Sequence, residues 1–392
     1  MNEIKHSYNT DVFLLQSTTI DILRFPLAIM VVFIHMNPKV TNLLEIDYNL
    51  LSCHGIKNLI GILFSHVIAS IAVPTFYIIS GFLFFINFQK WNWADNKSKI
   101  RKRVKSLVIP YFLWNFVPFI LYIIFMLVGV CFKGNSISNV YSYIQEYSWH
   151  IFYDCNEWGT TQVNWLGDNL RMTGPYNLPL WFLRDLIVLT FLNPLIYFIV
   201  KRIRISALFI LFIAYISRIW TQIPGFQITA FFYFTTGAYF ALNNLNIVSF
   251  AKRFNYLFLP VCIICLFITT IYDGVNTVVG QFFCPFFVFS GVFTTFYIAS
   301  LLIKRYKIKP NKFLVSSSFF IYAFHVAYLP IIGNPLSFSQ NILHKLIPGN
   351  TCIEDCICYM ASPFLTIIIC LLVLSITRKF LPKTTLLFTG NK

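Results

Sequence analysis

Long apolar runs alternate with short polar segments along almost the whole chain. Ten runs have the composition of helices that cross a bilayer, although some are shorter than the ~20 residues that a perpendicular helix needs. The pattern predicts an all-α integral membrane protein, a bundle of about ten transmembrane helices. The runs lie at about 20–36, 62–88, 106–132, 178–200, 205–220, 229–242, 256–272, 278–303, 314–333 and 358–377.

The composition supports this class and excludes an ordinary soluble protein. Of 392 residues, 57% are hydrophobic and only 11% are charged. Soluble domains carry roughly 25% charged residues. No stretch is long and polar enough for a separate soluble domain, so we expect residues 1–392 to form one transmembrane domain. Its polar parts are an N-terminal segment at 1–19, a long loop at 133–177 and a tail at 378–392.

The charge of the chain carries information about topology. Its formal net charge is +16, but Lys and Arg sit in short clusters between the apolar runs. That placement is not the footprint of a nucleic-acid-binding protein. With the N-terminus placed inside, every inner segment is basic and the acidic residues lean outward. The pattern predicts a multi-pass protein of the cytoplasmic (inner) membrane with both termini cytoplasmic and the 133–177 loop outside.

Several ionisable residues interrupt the apolar runs. A charge at the centre of a bilayer costs roughly 2.5–3.5 kcal/mol on insertion scales, so such residues usually face a partner or a polar cavity. The candidates in this chain are Asp21, Arg24, His35, Arg184, Asp185, Arg218 and His325.

The first run combines a cation and an imidazole. Arg24 and His35 are eleven positions apart. Eleven steps of ~100° place both side chains on one helix face, roughly 16 Å apart along the axis. Asp21 precedes Arg24 by three residues and could pair with it. The spacing indicates either a polar route through the bundle or, alternatively, an interfacial anchor at one end and a helix terminus at the other.

The remaining polar positions each allow two interpretations. Arg184 and Asp185 point ~100° apart and need not pair with each other; they form a substrate site or a structural ion network. His325 is a substrate contact or an interhelical hydrogen-bonding group. Ser80, followed by Gly81, marks a binding position or a close helix contact.

A basic cluster and a cysteine group complete the candidates. Arg101, Lys102 and Arg103 precede the third run. They either anchor it on the cytoplasmic side or bind the phosphates of an anion.

Cys352, Cys356 and Cys358 have a spacing that does not fit the common zinc patterns, so we expect no metal site. A disulfide from this group, with Cys155 or Cys53, is the alternative to free thiols.

The ordered set of motifs resembles the acyltransferase 3 family of multi-pass membrane acyltransferases. The matching residues are Arg24-x10-His35, "SGF" at 80–82, "RKRVKSLVIPYFLW" at 101–114, "LWFLRDLIVL" at 180–189 and "SFFIYAFH" at 318–325. They occur in the same chain order as in the family and cover essentially the whole chain. The sequence departs from the family at one point. Many members have an Arg-x-x-Arg pair in this basic segment, whereas here Arg103 is followed three positions later by Ser106.

The resemblance implies transfer of an acyl group, usually acetyl from acetyl-CoA, to a sugar hydroxyl of a glycan or glycolipid outside the cytoplasm. It makes His35 the main catalytic candidate and Arg24 its partner. We expect Arg101, Lys102 and Arg103 to bind the acyl donor. The expected acceptor contacts are Arg184, Asp185, Ser80 and His325. The alternative is a polytopic transporter or glycan-export component; the sequence assigns no oligomeric state.

Overall fold

The described part of the chain is almost entirely helical. The computed structural model describes residues 2–36, 53–88, 90–163, 169–217, 223–272, 277–347 and 351–390. Its α-helices are α1 Asn2–Ile34, α2 Cys53–Gly61, α3 Ala72–Phe85, α4 Trp93–Arg103, α5 Ile109–Lys133, α6 Ile137–Tyr147, α7 Trp181–Phe191, α8 Asn193–Ile203, α9 Ile205–Ser217, α10 Ile228–Leu242, α11 Ile247–Arg253, α12 Asn255–Ile271, α13 Val278–Tyr306, α14 Lys312–Phe324, α15 Pro335–Leu346, α16 Cys352–Phe380 and α17 Pro382–Thr389.

Short elements connect these helices. They are π-helical turns at Ile62–Val67 and Val104–Val108, 3-10 turns at Ile68–Ile71, Ser148–Phe152 and Leu178–Leu180, and strands β1 Asn156–Val163 and β2 Asn169–Gly174.

Each of the ten predicted apolar runs overlaps an α-helix. Five helical stretches are long and apolar enough to cross a membrane, and counting two bent helix pairs as single spans raises this to up to seven. The other three runs form the shorter apolar helices α9, α10 and α14. The chain is therefore a helical, multi-pass membrane protein, whereas the count of ten and the cytoplasmic position of both termini stay predictions.

The sharp bend between α7 and α8 has a local cause. The two helices meet at 66° around Leu192. Pro194 follows and has no N–H to donate to the carbonyl of Thr190, four residues back. The side-chain amide of Asn193 donates to that carbonyl instead, at 2.6 Å. The fourth predicted span is thus one broken helix whose freed backbone oxygen is satisfied by a neighbouring side chain.

The core of the bundle includes a very close contact between α3 and α10. An added Cβ on Gly81 would lie 2.1 Å from the Phe234 carbonyl oxygen, and one on Gly237 would lie 2.1 Å from that of Ile78. Glycine at both positions lets the two backbones touch. Gly81 of the Ser-Gly-Phe motif is therefore a packing residue. Around this pair, α1 contacts α3, α13 and α14.

The all-α class is confirmed, and the predicted 133–177 loop adds a small structure of its own. It contains α6, a 3-10 turn and the antiparallel pair β1–β2. Helix α6 packs back on α5, with the rings of Phe119 and Tyr143 stacked at 5.7 Å. Burial raises the pKa of the Cys155 thiol to about 12 and that of the Tyr176 hydroxyl to about 12. The base of the loop is therefore packed against the bundle.

The cysteine group of α16 contains a bridge. Cys352 is disulfide-bonded, whereas Cys155, Cys356 and Cys358 are free. A disulfide from this group is one of the two predicted alternatives and is confirmed; pairing with Cys155 is excluded. The side chain of Cys53, the other predicted partner, lies outside the described residues.

Candidate active site

The first helix carries the predicted polar stripe along one continuous α1. Arg24 pairs with Asp21, as the three-residue spacing predicts, with its Nη1 3.2 Å from the carboxylate Oδ1. Their side chains are 30% and 38% exposed, so this pair is only partly removed from solvent. His35 follows the last residue of α1 directly. At the rise of an α-helix, its eleven-residue separation from Arg24 corresponds to roughly 16 Å along the axis.

The part of α1 around Arg24 receives a second cation from the basic cluster. Arg103 is close enough to Arg24 for the two positive charges to repel each other, and its guanidinium carbon lies 5.8 Å from the centre of the Phe84 ring. Arg101 and Lys102 are exposed beside it on α4. The structure thus brings Arg24 and Arg103 together and leaves the other two at the rim.

The basic cluster is held in place by its own helix. The chain at 93–133 is one helical stretch rather than a polar loop followed by a span. Lys99 donates to the carbonyls of Phe84 and Ile86, each at 3.0 Å, where α3 ends. A π-helical turn, Val104–Val108, follows Arg103 directly. Such turns occur frequently at functional sites.

The C-terminal end of α1 places the ring of His35 beside that of His325. The rings of His35 and His325 are 5.1 Å apart between centroids and tilted by 55°. His325 is fully buried, whereas His35 is half-buried. The sequence presents them 290 positions apart, so no local pattern predicts their contact. Within the described ranges, no group of three or more His, Cys, Asp or Glu side chains could hold a metal ion.

Neighbouring elements fix both histidines. Ser65, in the π-helical turn at Ile62–Val67, donates to the Phe33 carbonyl at 2.6 Å and so holds the end of α1. The His325 carbonyl accepts from the Leu336 N–H at 2.9 Å, which ties the end of α14 to α15. Its ring Nδ1 lies 3.0 Å from the Ile321 carbonyl oxygen.

Arg184 and Asp185 form a buried ion pair, although their adjacent positions do not require one. The Arg184 Nε lies 3.3 Å from the Asp185 Oδ1, and the side chains are only 6% and 0% exposed. The long arginine side chain overcomes the ~100° offset, because its guanidinium can bend back to the neighbouring carboxylate.

The same guanidinium also holds the long loop. Its Nη1 donates to the Tyr153 carbonyl at 2.5 Å and to the Thr173 carbonyl at 3.2 Å. Those two carbonyls flank the excursion that contains β1 and most of β2. Arg184 is therefore both a member of the buried pair and the clamp at the base of the loop.

A set of buried polar atoms around this pair lacks a protein hydrogen-bond partner among the described residues. Tyr77 and Tyr322 lie close enough to Asp185 to interact with it electrostatically. Tyr322 is about one helical turn from His325, so the set extends towards the histidine pair. The unpartnered atoms are Arg184 Nη2, Thr173 Oγ1, Asn177 Oδ1 and His325 Nε2.

Four of these residues are not predicted from the sequence. Tyr322 precedes His325 by three positions, so helical spacing alone could have placed it on the same face. Tyr77, Thr173 and Asn177 carry no such signal. Asn177 donates to the Ala323 carbonyl at 2.8 Å, a contact between distant parts of the chain. Of the predicted positions, Ser80 is half-buried beside the Gly81 contact, and Arg218 lies outside the described residues.

Comparison with known proteins assigns the family. Residues 18–381 match the model of the acyltransferase 3 family, described as an acyltransferase domain. No curated protein matches the chain. No solved structure matches it either. The match spans His35, His325, Arg24, Arg103 and the buried Arg184–Asp185 pair. The chain belongs to the acyltransferase 3 family and is a multi-pass membrane acyltransferase.

Proposed function

We propose that the protein is an O-acyltransferase that moves acetyl from cytoplasmic acetyl-CoA to a sugar hydroxyl of an exported or surface glycan or glycolipid. One observation carries the proposal: α1 connects an arginine pair, formed by Arg24 with Arg103 of α4, to a histidine pair about three helical turns further along, formed by His35 with His325. The first can hold an anionic donor, and the second can handle a proton. A route between them suits transfer from one side of a membrane to the other.

The region around Arg24 and Arg103 has the chemistry to bind the acyl donor. CoA is polyanionic, and the guanidinium group matches phosphate geometry with two parallel hydrogen bonds. Asp21 pairs with Arg24, so two arginines share one carboxylate and the local charge stays positive. Arg103 and Arg24 would contact the phosphates, with Arg101 and Lys102 adding charge at the rim.

The Arg184 region has the chemistry to bind the acceptor. A buried donor or acceptor without a partner costs about 1–3 kcal/mol, and a ligand hydroxyl can remove that cost. The unpartnered atoms there include both donors and acceptors. This mixture matches a sugar, since each hydroxyl both donates and accepts. Arg184 and Asp185 are the strongest contacts in this proposal; Ser80 stays a predicted one.

His35 is the proposed general base. The sugar oxygen attacks the thioester carbonyl as its proton passes to the imidazole, the C–S bond breaks, and the CoA sulfur finally receives a proton. The imidazole can take up that proton at an unprotonated ring nitrogen.

Replacing His35 tests the proposal. We expect His35→Ala to lower acetyl transfer by a factor of about 100 or more, since positioned acid–base groups contribute roughly 10²–10⁴-fold. Membranes containing the protein would be given labelled acetyl-CoA, and label on glycan would be measured per folded protein. His344→Ala is the matched control, because His344 is an exposed histidine in the last turn of α15. Unchanged transfer by His35→Ala would exclude the base role, and glycan movement without CoA would indicate a transporter.

A further inference from the structure

The hydrogen bond at Nδ1 determines the protonation pattern of the His325 ring. The Nδ1 atom lies 3.0 Å from the Ile321 carbonyl oxygen. A carbonyl oxygen can only accept, so this bond requires a proton on Nδ1. In the neutral imidazole, the other nitrogen then carries a lone pair and no hydrogen. His325 Nε2 is therefore a hydrogen-bond acceptor.

That acceptor is buried and has no partner among the described residues. The side chain of His325 is 0% exposed, so Nε2 has lost its contact with bulk solvent. An unsatisfied buried acceptor normally marks a strained or functional position. The ring of His35 lies beside the His325 ring, at 5.1 Å between centroids.

The two histidines differ in how firmly they are held. His325 is anchored by its ring at Nδ1 and by its carbonyl to Leu336. His35 follows the last residue of α1 and is half-buried. The terminal torsion of a histidine side chain is broad, so the His35 ring can rotate to direct an N–H at Nε2. Catalytic hydrogen bonds are often poorly aligned before substrate binds.

We infer that His325 is a positioning residue for the reaction, whose Nε2 accepts a hydrogen bond from one ring N–H of His35. This inference rests on the proposed function. The bond fixes the His35 tautomer, because the remaining His35 nitrogen is then unprotonated and faces the sugar hydroxyl. As the hydroxyl proton moves to that nitrogen, the ring becomes an imidazolium, and its N–H bond to His325 becomes charge-assisted and stronger. His325 neither gains nor loses a proton.

Two conservative substitutions separate this role from a structural one. In His325→Gln, the longer side chain can place an amide oxygen where Nε2 lies and so keep an acceptor for His35. In His325→Asn, the shorter amide reaches only the Nδ1 position, where it can still donate to Ile321. We expect His325→Gln to keep kcat within about tenfold and His325→Asn to lower it by about 100-fold or more. The KM for acetyl-CoA should change less than about twofold in both.

The opposite ranking would overturn the inference. If the ring matters only through its bond to Ile321, Asn should work as well as histidine and Gln should be worse. Equal loss in both variants, or a change confined to KM, would also contradict positioning. Rates would be normalised to the monodisperse, folded fraction after detergent extraction.

The His35→Ala variant distinguishes failure of the proposed function from failure of the positioning role of His325. Full activity of His35→Ala would remove the proposed function itself. With His35→Ala inactive, an active His325→Asn would remove only the positioning role. In the double variant, His325→Asn should add little to the loss from His35→Ala, because residues that act as a unit are strongly non-additive. Fully additive losses would contradict the inference.

Discussion

The regions around Arg24 and beyond His35 place ionisable side chains in different surroundings. The Arg24–Asp21 pair is 30% and 38% exposed, and a second arginine adds to its positive charge. Beyond His35, His325 is fully buried, and the Arg184–Asp185 pair is only 6% and 0% exposed. The same residue types are thus partly uncovered in one region and enclosed by protein in the other.

The difference indicates what each region does. Charges that keep contact with solvent are inexpensive to hold and exchange partners readily, which suits reversible binding of an anion. Charges taken fully out of solvent are retained only with compensating partners or with a role that requires them. The buried charges therefore cost more free energy to retain, and the unpartnered atoms near them are the more specific indication of a ligand site.

Removing one member of each ion pair should give the largest contrast. Arg184→Met leaves Asp185 buried without its partner and frees the Tyr153 and Thr173 carbonyls, and we expect a loss of about 3–5 kcal/mol in the free energy of unfolding. Arg24→Met removes a partly exposed pair, and we expect a loss of about 0–1 kcal/mol. Thermal unfolding in detergent, followed by loss of the monodisperse species, measures both.

A second pair of variants sharpens this contrast. Arg184→Met combined with Asp185→Asn removes both charges and should recover part of the stability lost by Arg184→Met alone, since the uncompensated carboxylate is then gone. Similar losses for Arg184→Met and Arg24→Met would show that burial does not distinguish the two pairs.

The donor end should respond in binding rather than in turnover. Arg103→Gln removes a charge beside Arg24, and we expect the KM for acetyl-CoA to rise about tenfold or more, because hydrogen bonds to charged groups contribute about 1.5–3 kcal/mol. The exposed Arg101→Gln and Lys102→Gln should have smaller effects. Lys304→Gln, on α13, is the control for loss of an exposed cation.

Ionic strength provides an independent check on the same site. The difference in KM between Arg103→Gln and the unchanged protein should narrow as salt is added, because screening weakens the interaction of an accessible charge with phosphate. A fall in kcat at constant KM would instead place Arg103 outside the donor site.

The smallest expected effect concerns the packing of the loop. Burial raises the pKa of Cys155 to about 12. Only about 1 in 10⁴ of these thiols is therefore ionised at about pH 8, and the thiolate is the reactive form. N-Ethylmaleimide should label exposed Cys131 long before Cys155, as read by peptide mass spectrometry. Labelling of Cys155 should accelerate in Arg184→Met, where the clamp is lost. Equal labelling of the two thiols in the unchanged protein would contradict the packed arrangement.

The sequence predicts what depends on local spacing. Apolar run length predicts the helices, and the three-residue step predicts the Arg24–Asp21 pair, because both follow from helix geometry. All ten runs lie on helices, but run length does not predict that α7 and α8 break at 66°, since that bend depends on Pro194 and on how the halves pack.

Local sequence spacing does not predict contacts between residues that are far apart in the chain. The meeting of His35 with His325 and the approach of Arg103 to Arg24 depend on how whole helices pack. The Arg184–Asp185 contact is not predicted for a different reason. The ~100° offset gives the directions of the two Cβ atoms, but it does not give the position of the guanidinium at the end of a long, flexible side chain. Side-chain length decides that contact.

The clamp formed by Arg184 has a consequence for how the protein can vary. One side chain holds the carbonyls on both flanks of the hairpin excursion, so its anchorage does not depend on what lies between β1 and β2. Each doubling in length of a flexible connection costs only about 0.6 kcal/mol. Insertions or deletions between the strands should therefore leave the bundle intact, and related chains can exchange hairpins of different size on one unchanged base.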